Sequence, residues 1–380
     1  MLAGADSHAK NTTVYHERTV YHAQSNYSAV SSRTASKPHL IFLLTDDLGY
    51  NAPGYRNPDL LTPELDALAN DGLVLEEYYV YQYCAPSRGA FHTGRFPYHE
   101  AAWNGNLIPW SLPLGINLKY DFLPKVLKQP AANYATHHIG KWHQGFYKPA
   151  YTPLGRGYDT TYGFLVGGEN HYNQDAGWST NCSGPNAVDL SRDGVPCYGQ
   201  NGTADAKTHS GDDAHYNGFT FTAEAVRIIE AHNQAQPIFM YFALHNTHSP
   251  IQAPHRFQAL YEHQSSWPLE QTFNAMVSVV DESVGNVTKA LKSTGMWDNS
   301  VVVWMTDNGA PVQAGGSNKP LKGGKGKFPS ASDLNASMIQ MQILTRLLRS
   351  RQARTGKVVR FDHFFFAPPF QPLQPWPPCC

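Results

Sequence analysis

Charge is scarce in this sequence. Asp, Glu, Lys and Arg make up 16% of its 380 residues, and the net charge is −1. No field of one sign exists to gather nucleic acid or an anionic membrane, and neither partner is expected. Long apolar runs are missing too. None approaches the roughly 20 residues that cross a bilayer, so no membrane span is expected. Met1 to Asp6 lack both a basic and an apolar segment, and no signal peptide is visible there. Cysteine is scarce, with five in all: Cys84, Cys182, Cys197, Cys379 and Cys380. No Cys/His cluster of the zinc-binding kind is present. Cys182 and Cys197 bracket a loop rich in Gly, Pro and Asn. A bridge there would stabilise by about 3 kcal/mol, and two free surface thiols are the alternative.

Loop formers, by contrast, are plentiful. The 31 Gly and 27 Pro imply structured loops rather than long helices, in a chain long enough for one large domain or two modest ones. Residues 1–36, rich in Ser, Thr, Asn, His and Ala, show no periodicity and read as a disordered leader. Pro38 to Thr45 is a continuous apolar run suited to a central parallel strand. Thr62-Pro63-Glu64 predicts a helix start, Leu65, Leu68 and Ala69 an apolar stripe, and Gly72 a stop. Strands are expected over 73–79, 135–139, 237–244 and 301–305, and helices from Phe122 to Leu127 and over 219–232. Phe273, Met276, Val277, Val280, Val284, Val287 and Leu291 mark the core-facing side of a further, long helix. Segments 96–120 and 147–216 read as loops, the second long enough to be functional rather than idle. Strands alternating with helices mean α/β with a mostly parallel sheet.

Chemistry-bearing residues gather just beyond the strands. Asp46-Asp47 follows the first, and Cys84-Ala85-Pro86-Ser87-Arg88 the second. Gly140-Lys141-Trp142-His143, His245-Asn246-Thr247-His248-Ser249-Pro250 and Thr306-Asp307-Asn308-Gly309 follow the later ones. Asp46, Asp47, Asp307 and Asn308 offer only hard oxygen ligands, which suit Ca²⁺ or Mg²⁺. Taken singly, an Asp-Asp pair after a strand is ordinarily a turn or cap, and a lone Cys is ordinarily inert. The ordered set, however, resembles the type I sulfatases, and within them the arylsulfatase B (N-acetylgalactosamine-4-sulfatase) branch. The resemblance runs from about Lys37 to Lys327.

That resemblance implies an alkaline-phosphatase/sulfatase-like α/β fold, with a mostly parallel central sheet flanked by helices. It implies one Ca²⁺ held by Asp46, Asp47, Asp307 and Asn308 and by Cys84 in its formylglycine form. One hydroxyl of the hydrated aldehyde would attack sulfur, and the second would let sulfate be expelled as the carbonyl reforms. Pro86 and Arg88 fit the pattern read by a formylglycine-generating enzyme, and Arg88 would also face the metal-site anion. Lys141, His248 and Lys325 would bind the sulfate oxygens, His248 also serving as leaving-group acid and His143 as base. Lys322 is the alternative to Lys325, while His137, His138 and His245 are read as ordinary core or surface residues. The expected substrate is a sulfated carbohydrate or aryl sulfate ester. The expected location is the secretory pathway, lysosomal or extracellular, with sequons at Asn11, Asn26, Asn181, Asn201, Asn286 and Asn335 as glycan sites.

Residues 37–327 are thus read as the catalytic domain. Phe328-Pro329-Ser330-Ala331 stands where the family carries Trp-Glu-Gly-Gly. Residues 328–380 form a basic, then Pro-rich, tail in place of the family's C-terminal part. A truncated, frame-shifted or mis-spliced product is the plain reading of this tail, and a partner-binding tail the other. Two rival functions stand beside a sulfuric ester hydrolase. One is an inactive homologue or sulfated-glycan binder. The other is a phosphate or phosphonate monoesterase, although a two-zinc phosphatase needs further His and Asp ligands that the motifs do not supply.

Overall fold

A computed structural model describes residues 37–75, 78–100, 108–109, 112–176, 188–197 and 214–326, and the backbone of 339–341 and 344–346. The first strand, β1 (His39–Thr45), is buried almost throughout. It is followed by α1 (Pro63–Asp71), β2 (Leu73–Val74), β3 (Tyr78–Val80), α2 (Cys84–Thr93), α3 (Leu123–Leu127) and β4 (Ala135–Lys141). Then come β5 (Thr160–Phe164), β6 (Ser191–Arg192), β7 (Val195–Pro196), α4 (Asn217–Ala231) and β8 (Ile238–Ala243). The last elements are α5 (His255–Gln258), α6 (Pro268–Ser293), β9 (Ser300–Thr306), β10 (Ile339–Met341) and β11 (Leu344–Arg346).

The main sheet runs β2-β11-β9-β1-β8-β4-β5-β6-β7. Its five central strands, β9 to β5, are parallel, and the flanking pairs are antiparallel. Alternate residues of the central strands feed two cores. Ile41, Leu43, Met240, Phe242, Val302 and Trp304 pack with the apolar faces of α1, α4 and α6. Phe42, Leu44, Phe239, Tyr241, Val303 and Met305 pack with Ala85 and Phe91 of α2 and Leu123 and Leu127 of α3. Covered on both faces, these strands have no polar side to show, which is why they read as continuous apolar runs. All seven residues picked for the long helix are buried on α6.

Several expectations change. The strand expected over 73–79 splits into β2 and β3, which join different sheets. Cys84 opens a helix that the sequence did not announce, and β5 lies inside the stretch read as loop. Thr62 does not cap α1. Its hydroxyl bonds Asp66 and Gly54 instead, and Asp281 of α6 accepts from the backbone N–H of Glu64 (3.2 Å) and Leu65 (2.7 Å). Part of the basic tail, at 339–341 and 344–346, is extended and paired with β3, β2 and β9. The leader, Cys182, Cys379, Cys380 and the sequons at Asn11, Asn26, Asn181, Asn201 and Asn335 lie outside the described residues. Asn286 is exposed on α6, and among the described residues no helix is long and apolar enough to cross a membrane.

Candidate active site

Parallel strands end on the same edge of the sheet, and that edge is where their terminal residues meet. Thr45 pairs with Thr306 in the β1–β9 register, so the next residues, Asp46-Asp47 and Asp307-Asn308, arrive side by side. The backbone N–H of Asp47 donates to Asp307 Oδ1 (3.2 Å), and Asn308 Nδ2 donates to Asp47 Oδ1 (2.6 Å). Asp47 takes a left-handed backbone conformation, φ 58°, to make this turn.

Three cations close on the three carboxylates. Arg88, fully buried on α2, donates through Nε to Asp307 Oδ2 (2.9 Å) and places Nη2 at 2.8 Å from Asp307 and 3.4 Å from Asp46. Its Nη1 donates to the Lys141 carbonyl (3.1 Å), tying α2 to the end of β4. Lys141, also fully buried, bonds Asp46 Oδ2. Lys325 reaches back to Asp47, 2.7 and 2.8 Å from its two oxygens. Lys322 is exposed.

Cys84 sits at the first position of α2, buried, with Sγ 3.3 Å from His143 Nδ1. His143 follows β4 with φ 56°, and its ring lies against Gly167, where any Cβ would come within 2.8 Å of it. His248 completes the edge, Nε2 3.9 Å from Asp47 Oδ2. Thus Asp46, Asp47, Cys84, Arg88, Lys141, His143, His248, Asp307, Asn308 and Lys325 all come to one place. His137 and His138 lie on β4 and are hydrogen-bonded to Thr160 and Thr161 of β5, as ordinary core histidines. His245 is different: it stacks on His248 with ring centroids 5.2 Å apart. Glu169, His171 and Asn217 lie behind it, and no local spacing pointed to them.

Burial and charge act together here. Burial raises the Cys84 thiol, with Lys141 and Lys325 pulling the other way. It raises Asp307 as well, reinforced by Asp46. Burial works against the Arg88 and Lys325 cations, but Asp307 and Asp47 respectively hold both above their ordinary values. Burial pushes His143 well down, helped by Lys141 and Arg88, and pushes His248 well down, helped by Lys325 and Lys141. At both, burial and the neighbouring cations disfavour the imidazolium.

The donor set fits a hard divalent cation. Asp46 Oδ1 and Asn308 Oδ1 are buried acceptors with no partner, and both belong to the oxygen-only group around Asp47 and Asp307. Asp46, Cys84 and Asp307 offer atoms all within 4.8 Å of one another, as do Asp46, Asp47 and His248. A buried acceptor without a donor is costly unless a cation or water meets it.

Such an edge on a doubly covered parallel sheet is the architecture of the alkaline-phosphatase/sulfatase-like fold. The family model described as Sulfatase matches residues 38–340, and the chain belongs to the sulfatase family. It is 37% identical to mouse Arylsulfatase J over 77% of this chain and 46% of the relative. It is 30% identical to human Arylsulfatase A over 77% of this chain and 56% of the relative. The crystal structure of Ps i-CgsB superposes with a TM-score of 0.68 at 30% identity, over 81% of this chain and 65% of that one. The chain spans about half the length of the curated relatives it matches. The arylsulfatase B branch is a finer assignment than these relatives carry.

Proposed function

We propose that this chain carries a site that hydrolyses sulfate monoesters of sugars or aryl alcohols. One observation carries the reading: three buried carboxylates, three cations and two histidines converge around Cys84 at a single sheet edge. Similarity to Ps i-CgsB, also solved in complex with k-i-k-neocarrahexaose, supports a carbohydrate substrate. Asp46, Asp47, Asp307 and Asn308 would hold one Ca²⁺ beside residue 84. The ion would supply Lewis-acid charge, and formylglycine made from Cys84 would supply a geminal pair of hydroxyls. The protein's own residues do the rest. Lys141 and Lys325 balance the negative charge that grows on the sulfate oxygens, and Arg88 holds Asp46 and Asp307 in place. His143, 3.3 Å from the sulfur, is the base for the proton on residue 84, and His248, whose cationic form a bound sulfate anion would favour, protonates the leaving oxygen.

Maturation by a formylglycine-generating enzyme and passage through the secretory pathway, to a lysosomal or extracellular site, belong to the same proposal. So do a catalytic domain over 37–327 and a divergent tail over 328–380. The test is hydrolysis of nitrophenyl sulfate against nitrophenyl phosphate, with mass spectrometry of the peptide containing residue 84. Formylglycine with sulfate turnover, abolished by Cys84→Ala, is the expected result. Preference for the phosphate ester, or turnover unchanged in Cys84→Ala, would overturn it.

A further inference from the structure

Behind His248 lies a buried polar network that the proposed reaction does not touch. Asn217, at the start of α4, is its hub. Its Nδ2 is 2.9 Å from Glu169 Oε1 and 3.2 Å from His245 Nδ1, and its Oδ1 is 2.9 Å from His171 Nδ1. His171 Nε2 in turn lies 2.9 Å from the carbonyl oxygen of His248. Glu169, His171, Asn217 and His245 are all fully buried. The rings of His171 and His245 stack at 4.2 Å, and that of His245 on His248 at 5.2 Å. The His171 backbone is itself fixed, its N–H donating to Gln252 Oε1 and its carbonyl accepting from Gln174 Nε2.

Counting protons narrows what this network is. The His248 carbonyl can only accept, so His171 Nε2 must carry hydrogen. With the Asn217 amide as placed, His171 Nδ1 must donate as well, which makes an imidazolium facing a Glu169 carboxylate through Asn217. Turning the amide over, which exchanges only its O and N, gives a neutral alternative. Asn217 then donates to His171 Nδ1, and its oxygen accepts from a protonated Glu169 and from His245 Nδ1–H. Both arrangements hold the same total of protons on the Glu169–His171 pair, and both keep the Nε2–H bond to His248. Glu169 Oε2 is buried with no hydrogen-bond partner, where a carboxylate would leave charge unmet. Burial pushes Glu169 well above the carboxylate range and His171 down, against their hydrogen bonds with Asn217 and the His248 carbonyl; together these favour the neutral form.

We propose that Glu169, Asn217 and His171 are positioning residues that fix the backbone of His248, and with it the imidazole beside Asp47, with Glu169 acting as a neutral acid. The segment that carries His248 leaves β8 and turns toward Asp47, with the Thr247 N–H donating to the Asp46 carbonyl and its hydroxyl to that of Asp47. The network clamps the other side of this segment. It draws on three separate stretches, the loop after β5, the start of α4 and the end of β8, so it reports their correct docking at the site.

The proposal rests on the sulfatase reading, and its test separates the two. In the full chain carrying formylglycine, His171→Phe and Asn217→Ala are expected to lower kcat for nitrophenyl sulfate roughly 10- to 100-fold and leave KM unchanged. Glu169→Ala should do the same. Glu169→Gln should restore most of kcat, because an amide N–H replaces the acid O–H. Unchanged kcat in His171→Phe and Asn217→Ala would overturn the positioning role. Equal losses in Glu169→Gln and Glu169→Ala would overturn the neutral acid. Nitrogen-15 NMR of the wild-type imidazoles gives a readout independent of turnover. His171 protonated on Nε2 alone is expected, and an imidazolium would overturn the neutral acid. A wild type that turns over no sulfate ester yet shows that signal would sink the sulfatase reading and uphold the network.

Discussion

Buried carboxylates in two regions of this molecule are satisfied in opposite ways. At the sheet edge, Asp46, Asp47 and Asp307 face Arg88, Lys141 and Lys325, and Asp46 still keeps one oxygen without a partner. Under α1, Asp281 is nearly as buried at 5% exposure, but its two oxygens accept backbone N–H groups of Glu64 and Leu65. The half-buried Asp189 is held in the same way as Asp281, its Oδ2 accepting from the N–H of Leu165 (2.9 Å) and Val166 (2.8 Å). Backbone donors are fixed by the fold and leave nothing to exchange, so these acids brace structure. Side-chain cations around an acceptor with spare capacity can yield to an ion or substrate. The chemistry that a buried acid can do follows from what satisfies it.

Four measurements distinguish the two kinds of buried acid. Arg88→Met should be the most damaging change. It leaves Asp46 and Asp307 without their guanidinium and should cost about 3–5 kcal/mol in urea unfolding without added metal. Little loss would mean that the site carboxylates are not held by charge. Next, Ca²⁺ at 100 times its dissociation constant should raise the unfolding free energy by about 2.7 kcal/mol. Asp307→Asn should lose that gain and Asp281→Asn keep it; a gain kept by both would put the ion elsewhere. Asp281→Ala, which removes the cap of α1, should cost about 1–2 kcal/mol and leave sulfate-ester turnover intact.

The last test is the pH slope. Burial pushes the Asp281 carboxyl up to about 7, with the Leu65 and Glu64 N–H groups opposing it. The unfolded carboxyl titrates near about 3.9. Between these values the native state holds a proton that the unfolded state has released. Stability from this group therefore falls as pH rises from about 4 to 7, by at most about 1.4 kcal/mol per unit, and is level above. Asp281→Asn should flatten that part of the profile. An unchanged slope would mean that Asp281 is already ionised at pH 5.

What was legible in the sequence had a local cause. β1, β8 and β9 showed as apolar runs because both faces are covered, and α6 showed as a stripe because one face is. The cap of α1 was misread because its acceptor comes from Asp281, 217 residues from Glu64. β5, Thr-Thr-Tyr-Gly-Phe, has little apolar signal and owes its extension to pairing with β4. α2 carries Pro86 and Gly89 and no clean stripe, so its helix was invisible although its residues were singled out. At the site, residues that touch charge stood out by type and order. Glu169, His171 and Asn217 did not, because their relation exists only across three segments.

The matching of three acids by three bases at the sheet edge bears on the order in which the molecule comes to completion. A site made of carboxylates alone would repel itself until an ion arrived, and closing the chain would have to wait for loading. Here Arg88, Lys141 and Lys325 already hold those carboxylates together. Closure can come first, and a divalent cation entering the site would then compete with ammonium and guanidinium groups already in contact. Its affinity is reduced by whatever those contacts are worth, and an ion that leaves does not take the fold with it.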